Sequence, residues 1–189
     1  DEVYISDIVY DNFGRRHIVK NGNGVETVNE YDAENLMLDN MTVQKDPNNE
    51  YVNIDYNFNS ATGNLSDKVV KRAGTKQQTY VYGYDKLNRL TNTTFTIEDQ
   101  PDDGYTYKNE YNSLGNIEKK DVNDLDDVTQ GNTSYEYDDP NHIHAVKSYV
   151  KKDVAGDKTY SFEYDLNGNM IKKTIDSRTW DYGWDVENR

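Results

Sequence analysis

Three groups of side chains stand at spacings that could do chemistry. His142 and His144 are two residues apart, so on an extended strand both imidazoles would point the same way and could share a metal ion. The chain has no cysteine and only His17 besides, so a third ligand would have to be a distant carboxylate, and no metal site is expected. Asp165, Asn167 and Asn169 imitate the first half of a calcium loop, and Asp176 falls where its last ligand would stand. Met170 fills the slot that demands glycine and the flanks read as strands, so a hairpin turn explains the same residues. The third group is aromatic: Tyr80, Tyr82 and Tyr84, and again Tyr160, Phe162 and Tyr164. Such rows could stack on sugars. As cross-strand partners they would each contribute about 0.2 to 1 kcal/mol to a sheet, the reading preferred for a ring that recurs along the whole chain.

Catalysis has no comparable candidate. Carboxylates and serines abound, yet none is placed with a base, and the glycine-containing turns lack a phosphate-loop pattern. No enzyme and no cofactor are expected. Arg15 and Arg89, just after turns, most simply pair with turn or neighbouring-strand carboxylates.

The elements that position these residues follow from one stretch, Tyr82-Gly83-Tyr84-Asp85-Lys86-Leu87-Asn88-Arg89-Leu90: a strand end, a tight turn and a strand start. Aligned on the aromatic residue before the turn, the series is Tyr10, Tyr31, Tyr56, Tyr84, Tyr111, Tyr137, Tyr164 and Trp184, in steps of 21, 25, 28, 27, 26, 27 and 20 residues. Such a period marks an array architecture. Asp11, Asp32, Asp85, Asn112, Asp165 and Asp185 open the turns, and Gly14, Asn35, Asn88, Gly115, Gly168 and Asn188 are expected at positive φ. Two units depart from the rule. After Tyr56 the turn is wider, reaching Gly63, and after Tyr137 the run Pro140 to Val146 puts proline where a type I turn disfavours it.

Strands are expected at 25–31, 78–84, 91–97, 147–150, 159–164 and 172–175, with acidic loops at 21–24, 46–50, 98–104, 121–131 and 153–158. No segment has a helical apolar period. The expectation is therefore an all-β chain of about seven to eight antiparallel hairpins forming a curved, twisted ribbon, a single array over residues 1–189 and a fragment of a longer protein. Its last strand, 179–184, would present an edge open to self-association.

Composition fits that plan. With 35 Asp and Glu against 21 Lys and Arg, the 189-residue chain carries a net charge of −14, which repels phosphate backbones and anionic lipid. Nucleic acid is excluded as a partner, and no apolar run is long enough to span a membrane as a helix. Apolar residues make up only 34%, near the disordered range, but 17 tyrosines supply large rings with strong strand preference. Folded β structure with a thin core results.

The repeat Tyr-x-Tyr-Asp-x-x-Gly/Asn-Arg-Leu resembles the YD or RHS repeat, and residues 82–90 match it closely. Residues 184–189 resemble a frequent variant, and 138–146 resemble the Asn-His-Pro-His-Ala-Val element of bacterial RHS proteins, with Ile143 in place of the proline. In that family the repeats wind a β-ribbon into a hollow shell, as in the B and C components of bacterial toxin complexes, RHS toxins and teneurins. The resemblance implies a secreted or cell-surface bacterial protein whose shell encloses or displays its own C-terminal or a partner polypeptide. The alternative is a carbohydrate-binding or adhesion module that presents the rings to a surface glycan. The self-cleaving site of the toxin type lies beyond the repeats, so no protease activity is carried over.

Overall fold

The computed structural model describes residues 3–124, 133–152 and 156–189, with backbone alone at 101, 102, 123 and 124. It contains fifteen strands and, among the described residues, no helix. The chain divides into two compact units, Asp1–Gly104 and Tyr105–Arg189. The first holds β1 (Ile5–Tyr10), β2 (Arg16–Asn21), β3 (Glu26–Tyr31), β4 (Leu38–Gln44), β5 (Glu50–Phe58), β6 (Leu65–Arg72), β7 (Gln78–Tyr84) and β8 (Leu90–Ile97). The second is built from β9 (Gln100–Tyr111, which begins before the boundary), β10 (Ile117–Asp124), β11 (Thr133–Glu136), β12 (Ser148–Lys151), β13 (Lys158–Tyr164), β14 (Met170–Ile175) and β15 (Arg178–Asp181). Within each unit every strand pairs antiparallel with the next in sequence, the topology of tandem hairpins.

Period-2 alternation separates the two faces. In the first unit the registers line up Met41, Ile54, Val70, Gln78 and Ile97 in one row, and Tyr56, Lys68, Tyr80 and Phe95 in the next, all on one face. The other face is polar and knits itself: Asn40 donates to Asp55 Oδ1 (2.6 Å) and Asn53 Oδ1 (3.1 Å), Thr42 Oγ1 donates to Asn40 Oδ1 (3.0 Å), and Lys71 pairs with Asp55 (3.4 Å). Among the described residues only Val70 (2% exposed) and Phe95 (7%) are buried apolar residues, the thin core that composition implies.

Several details differ from the sequence reading. The third aromatic of the series is Phe58, not Tyr56: β5 runs on to Phe58, Asn57 stays in the strand and Asn59 opens the turn. The steps on either side then become 27 and 26 residues (58 − 31 and 84 − 58), in line with the others. Asn35 is not at positive φ; Leu36 is, at 63°, because this turn is one residue longer. Leu36 N bonds to Asp32 O (3.0 Å), as Gly63 N does to Asn59 O (2.8 Å), whereas Gly14 N bonds three residues back to Asp11 O (3.1 Å).

Pro140 fits its turn, because that turn opens at Asp139, with His142 N bonded to Asp139 O (3.1 Å), and proline is favoured at the second position. A second turn follows, from His142 O to Ala145 N (2.8 Å). The expected loop at 98–104 shrinks to Glu98 and Asp99, with Asp99 at φ 57° before β9 starts. Most of the loop at 121–131, and residues 153–155 of the next, lie outside the described residues. The final strand is β15, ending at Asp181 rather than Trp184.

Candidate functional site

The turns are built by one side-chain device. Asp11 Oδ1 accepts from the amides of Phe13 and Arg15 (both 2.9 Å), and Asp85 Oδ1 from those of Leu87 (2.8 Å) and Arg89 (3.0 Å). Asn112, Asp165 and Asp185 repeat the arrangement two and four residues on. A short oxygen-bearing side chain is required because it must fold back onto its own turn, which is why Asp and Asn share the slot. The residue at positive φ is Gly14, Asn88, Gly115, Gly168 or Asn188, where left-handed backbone costs glycine nothing and asparagine little. Arg15 and Arg89 close their turns through Nε, at 2.7 Å to Asp11 Oδ2 and 2.6 Å to Asp85 Oδ2.

These contacts hold the carboxyls of Asp11, Asp85 and Asp165 below their ordinary range. For Asp85 the Arg89 amide is the leading influence, and its carboxyl lies below the usual range. Asp165 is lowered first by the Asn169 side-chain amide. At Asp11 burial pushes up, yet the Arg15 amide and guanidinium together prevail.

Beside six of these turns the exit strand carries an extra residue. Val9 faces Ile18 while Tyr10 faces Arg16, and the same shift recurs at Tyr31, Phe58, Tyr84, Tyr111 and Tyr164. A bulge of this kind interrupts the ladder and leaves backbone groups to be satisfied otherwise. The ring of the following repeat does so. Tyr31 OH donates to Arg16 O (3.0 Å), Tyr84 OH to Leu65 O (3.0 Å), Tyr137 OH to Ile117 O (3.0 Å), and Trp184 Nε1 to Met170 O (2.9 Å). Tyr164 makes the equivalent bond to Val146 O (2.9 Å).

A second latch joins turn to turn from the residue just after the positive-φ position. Arg15 Nη1 donates to Leu36 O (2.5 Å), Asn64 Nδ2 to Asn88 Oδ1 (2.8 Å), Asn116 Nδ2 to Ile143 O (2.6 Å) and Asn169 Nδ2 to Asn188 Oδ1 (2.9 Å). Around the first of these, Arg15 lies 4.0 Å from the Tyr31 ring centroid, beside an open cleft of about 340 Å³ lined by residues such as Asp11, His17 and Glu30. Sequence reading missed both latches. Their signals were the unvarying aromatic before the turn and the Arg or Asn that precedes each exit strand.

The aromatic rows lie as the alternation implies. Tyr80 packs on Phe95 directly across β7 and β8 (centroids 4.9 Å), with Lys68 Nζ 4.6 Å above its ring. Tyr84 is spent on its latch. Tyr82 shares the face with both, across from Thr93. In the second unit Tyr149 stacks on Tyr160 (4.5 Å, 8°) and meets Tyr135 at 5.3 Å and Phe162 at 6.0 Å. Burial pushes the phenols of Tyr135, Tyr149 and Tyr164 above their usual range.

The histidines do not meet over a common point. His142 Nδ1 bonds to Asp139 Oδ2 (3.2 Å), and His144 Nδ1 to Asn116 Oδ1 (2.7 Å). The calcium-like residues are likewise separated: Asp165 turns onto its own loop, while Asp176, beyond β14, accepts the Thr159 amide (2.9 Å) at the opposite end of the hairpin. Among the described residues no three His, Asp or Glu side chains gather as a metal site.

No protein-family model matches this chain, and no curated protein does. Solved structures do match. TcdB2-TccC3-Cdc42 aligns with a TM-score of 0.60 at 16% identity over 92% of this chain, and TcdB2-TccC3 with 0.59 at 16% over 92%. The Tc holotoxin pore of Photorhabdus luminescens gives 0.53 at 15% over 91%. This chain spans only 11%, 12% and 11% of those chains, respectively. It thus has the fold of a segment of the Tc toxin chains, an all-β array of tandem antiparallel hairpins.

Proposed function

We propose that this chain is a non-catalytic structural module, a single run of YD-type hairpins through both compact units, that forms part of a shell enclosing or displaying a polypeptide of an exported bacterial protein. The observation that carries the reading is the chain of latches. Tyr84 and Tyr137 spend their hydroxyls, and Asn64 and Asn169 their side-chain amides, on the neighbouring repeat, so residues that recur serve wall-building. The likeness to Tc toxin chains supports the same role and an extracellular destination. The test is protease protection in the intact secreted protein. An enclosed polypeptide resists trypsin until the wall is opened by denaturant, whereas equally fast cleavage before and after opening overturns enclosure.

A glycan-binding role has one observation in its favour. Trp180, Tyr182 and Trp184 stand 42%, 42% and 43% exposed at the end of the second unit. Binding on a glycan array that is lost in Trp180→Ala would establish it, and a blank array would remove it.

A further inference from the structure

The second unit distributes charge unequally between its two faces. Lys119 and Lys120 are sequence neighbours on β10, as are Lys172 and Lys173 on β14, so alternation sends one of each pair to either face. On the polar face Lys119 pairs with Asp121 (2.6 Å) and Lys172 with Glu163 (3.2 Å). On the ring face Lys120 Nζ lies 5.8 Å from the Tyr135 ring centroid and Lys173 Nζ 6.0 Å from that of Trp180. Neither has a carboxylate partner among the described residues. The registers put Glu110, Asp121, Glu136, Glu163 and Asp181 on the polar face with Lys119 and Lys172. Along the paired strands only Glu118, at the bulge beside the turn, falls outside that division among the described side chains, and Asp103, before the paired part of β9, has the ring-face parity.

A chain of net charge −14 thus keeps one face of this unit cationic and aromatic. The rings stack on one another: Tyr149 covers Tyr160 at 4.5 Å and 8°, which leaves edges, hydroxyls and ammonium groups to a partner rather than flat ring faces. Phe162 and Ile175 add apolar surface between the lysines. Such a surface suits an extended peptide of mixed apolar and carboxylate side chains better than a sugar ring, which needs an open aromatic face.

We propose that the ring face of the second unit docks an acidic polypeptide segment, its carboxylates on Lys120 and Lys173 and its apolar side chains on the intervening rings. The inference rests on the reading that this module meets a polypeptide and names that polypeptide's chemistry.

The test measures fluorescence anisotropy of a labelled peptide of alternating Glu and Leu against the full 189-residue chain. Lys120→Gln and Lys173→Gln should each weaken binding about five-fold, and together about twenty-five-fold. Lys119→Gln and Lys172→Gln on the opposite face should change it less than two-fold or so, and the double arginine variant of the ring face should retain it. Equal losses from both faces, equal affinity for the Gln-for-Glu peptide, binding of polygalacturonate in place of the peptide, or no binding would each overturn the proposal. Trypsin protection in the secreted protein without any preference for the acidic peptide would leave enclosure standing and sink this inference alone.

Discussion

Removing one oxygen from Tyr84 separates the ring's packing from its latch. Tyr84→Phe keeps the ring and deletes the donor to Leu65 O, a part-buried bond of 3.0 Å beside the bulge at Phe58. A neutral hydrogen bond of this kind contributes about 1 kcal/mol net, and because water reaches the site the loss should fall near or below that figure. For a chain of this length the melting temperature should drop by roughly 2–4 °C, with a matching shift of the urea midpoint at constant slope. The chain holds its own reciprocal experiment. Phe58 occupies the same slot without a hydroxyl, one repeat beyond Leu38, so Phe58→Tyr should place an OH at the Leu38 carbonyl and stabilise by up to about 1 kcal/mol. Far-UV circular dichroism in urea reads both, and hydrogen exchange at 65–66 and 85–89 localises the first. If Tyr84→Phe is neutral while Tyr84→Leu is strongly destabilising, the ring alone matters and the latch argument fails.

Other outcomes follow from the turns. Leu36 sits at φ 63°, so Leu36→Asn should stabilise by roughly 0.5–1 kcal/mol, and a loss in urea titration would contradict the strain. The carboxyls of Asp11, Asp85, Asp139 and Asp165 are all held below 3.8 in the fold. A lowered folded value means stability that is fully present above the ordinary carboxylate range and lost as pH falls through the lowered values; melting temperatures should therefore be flat from neutrality to about pH 5 and fall below about pH 4. Asp85→Asn should flatten its share of that loss while keeping the turn, as Asn112 does naturally. A Cβ at Gly83 would lie 2.0 Å from Asn92 Oδ1, so Gly83→Ala should lower the melting temperature and Asn92→Ala should restore most of it. Additive losses in the double variant would refute that contact.

Much of this architecture was legible from residue spacing because a hairpin repeat writes its rule many times. Asp85 and Asn88 gave the turn, the alternation of Tyr80, Tyr82 and Tyr84 gave the face, and recurrence gave the array. Misreadings arose where one repeat carried two candidates for one slot. Tyr56 and Phe58 both precede an asparagine, and only the length of β5 decides between them. Asn35 looks better suited than Leu36 to positive φ, yet the longer turn assigns that backbone to leucine, a tertiary demand that overrides local preference. The ring latches left only the recurring aromatic as a signal, because each ends on a backbone carbonyl about 14 to 20 residues earlier, and carbonyls leave no mark in a sequence. The division of Lys119 from Lys120, by contrast, needed only a register.

The ring latches also have a direction. Among the ring latches described, each reaches back to a carbonyl made earlier in the chain: Tyr31 to Arg16, Tyr84 to Leu65, Tyr137 to Ile117, Trp184 to Met170. Strands likewise pair only with their sequence neighbours within each unit, so loop closures stay short. A chain emerging from the ribosome therefore meets the acceptor of each ring latch before its donor, whereas the Arg and Asn latches close only when the next turn has emerged. Each new hairpin finishes on a template already in place, and the protein can assemble in the order in which it is synthesised.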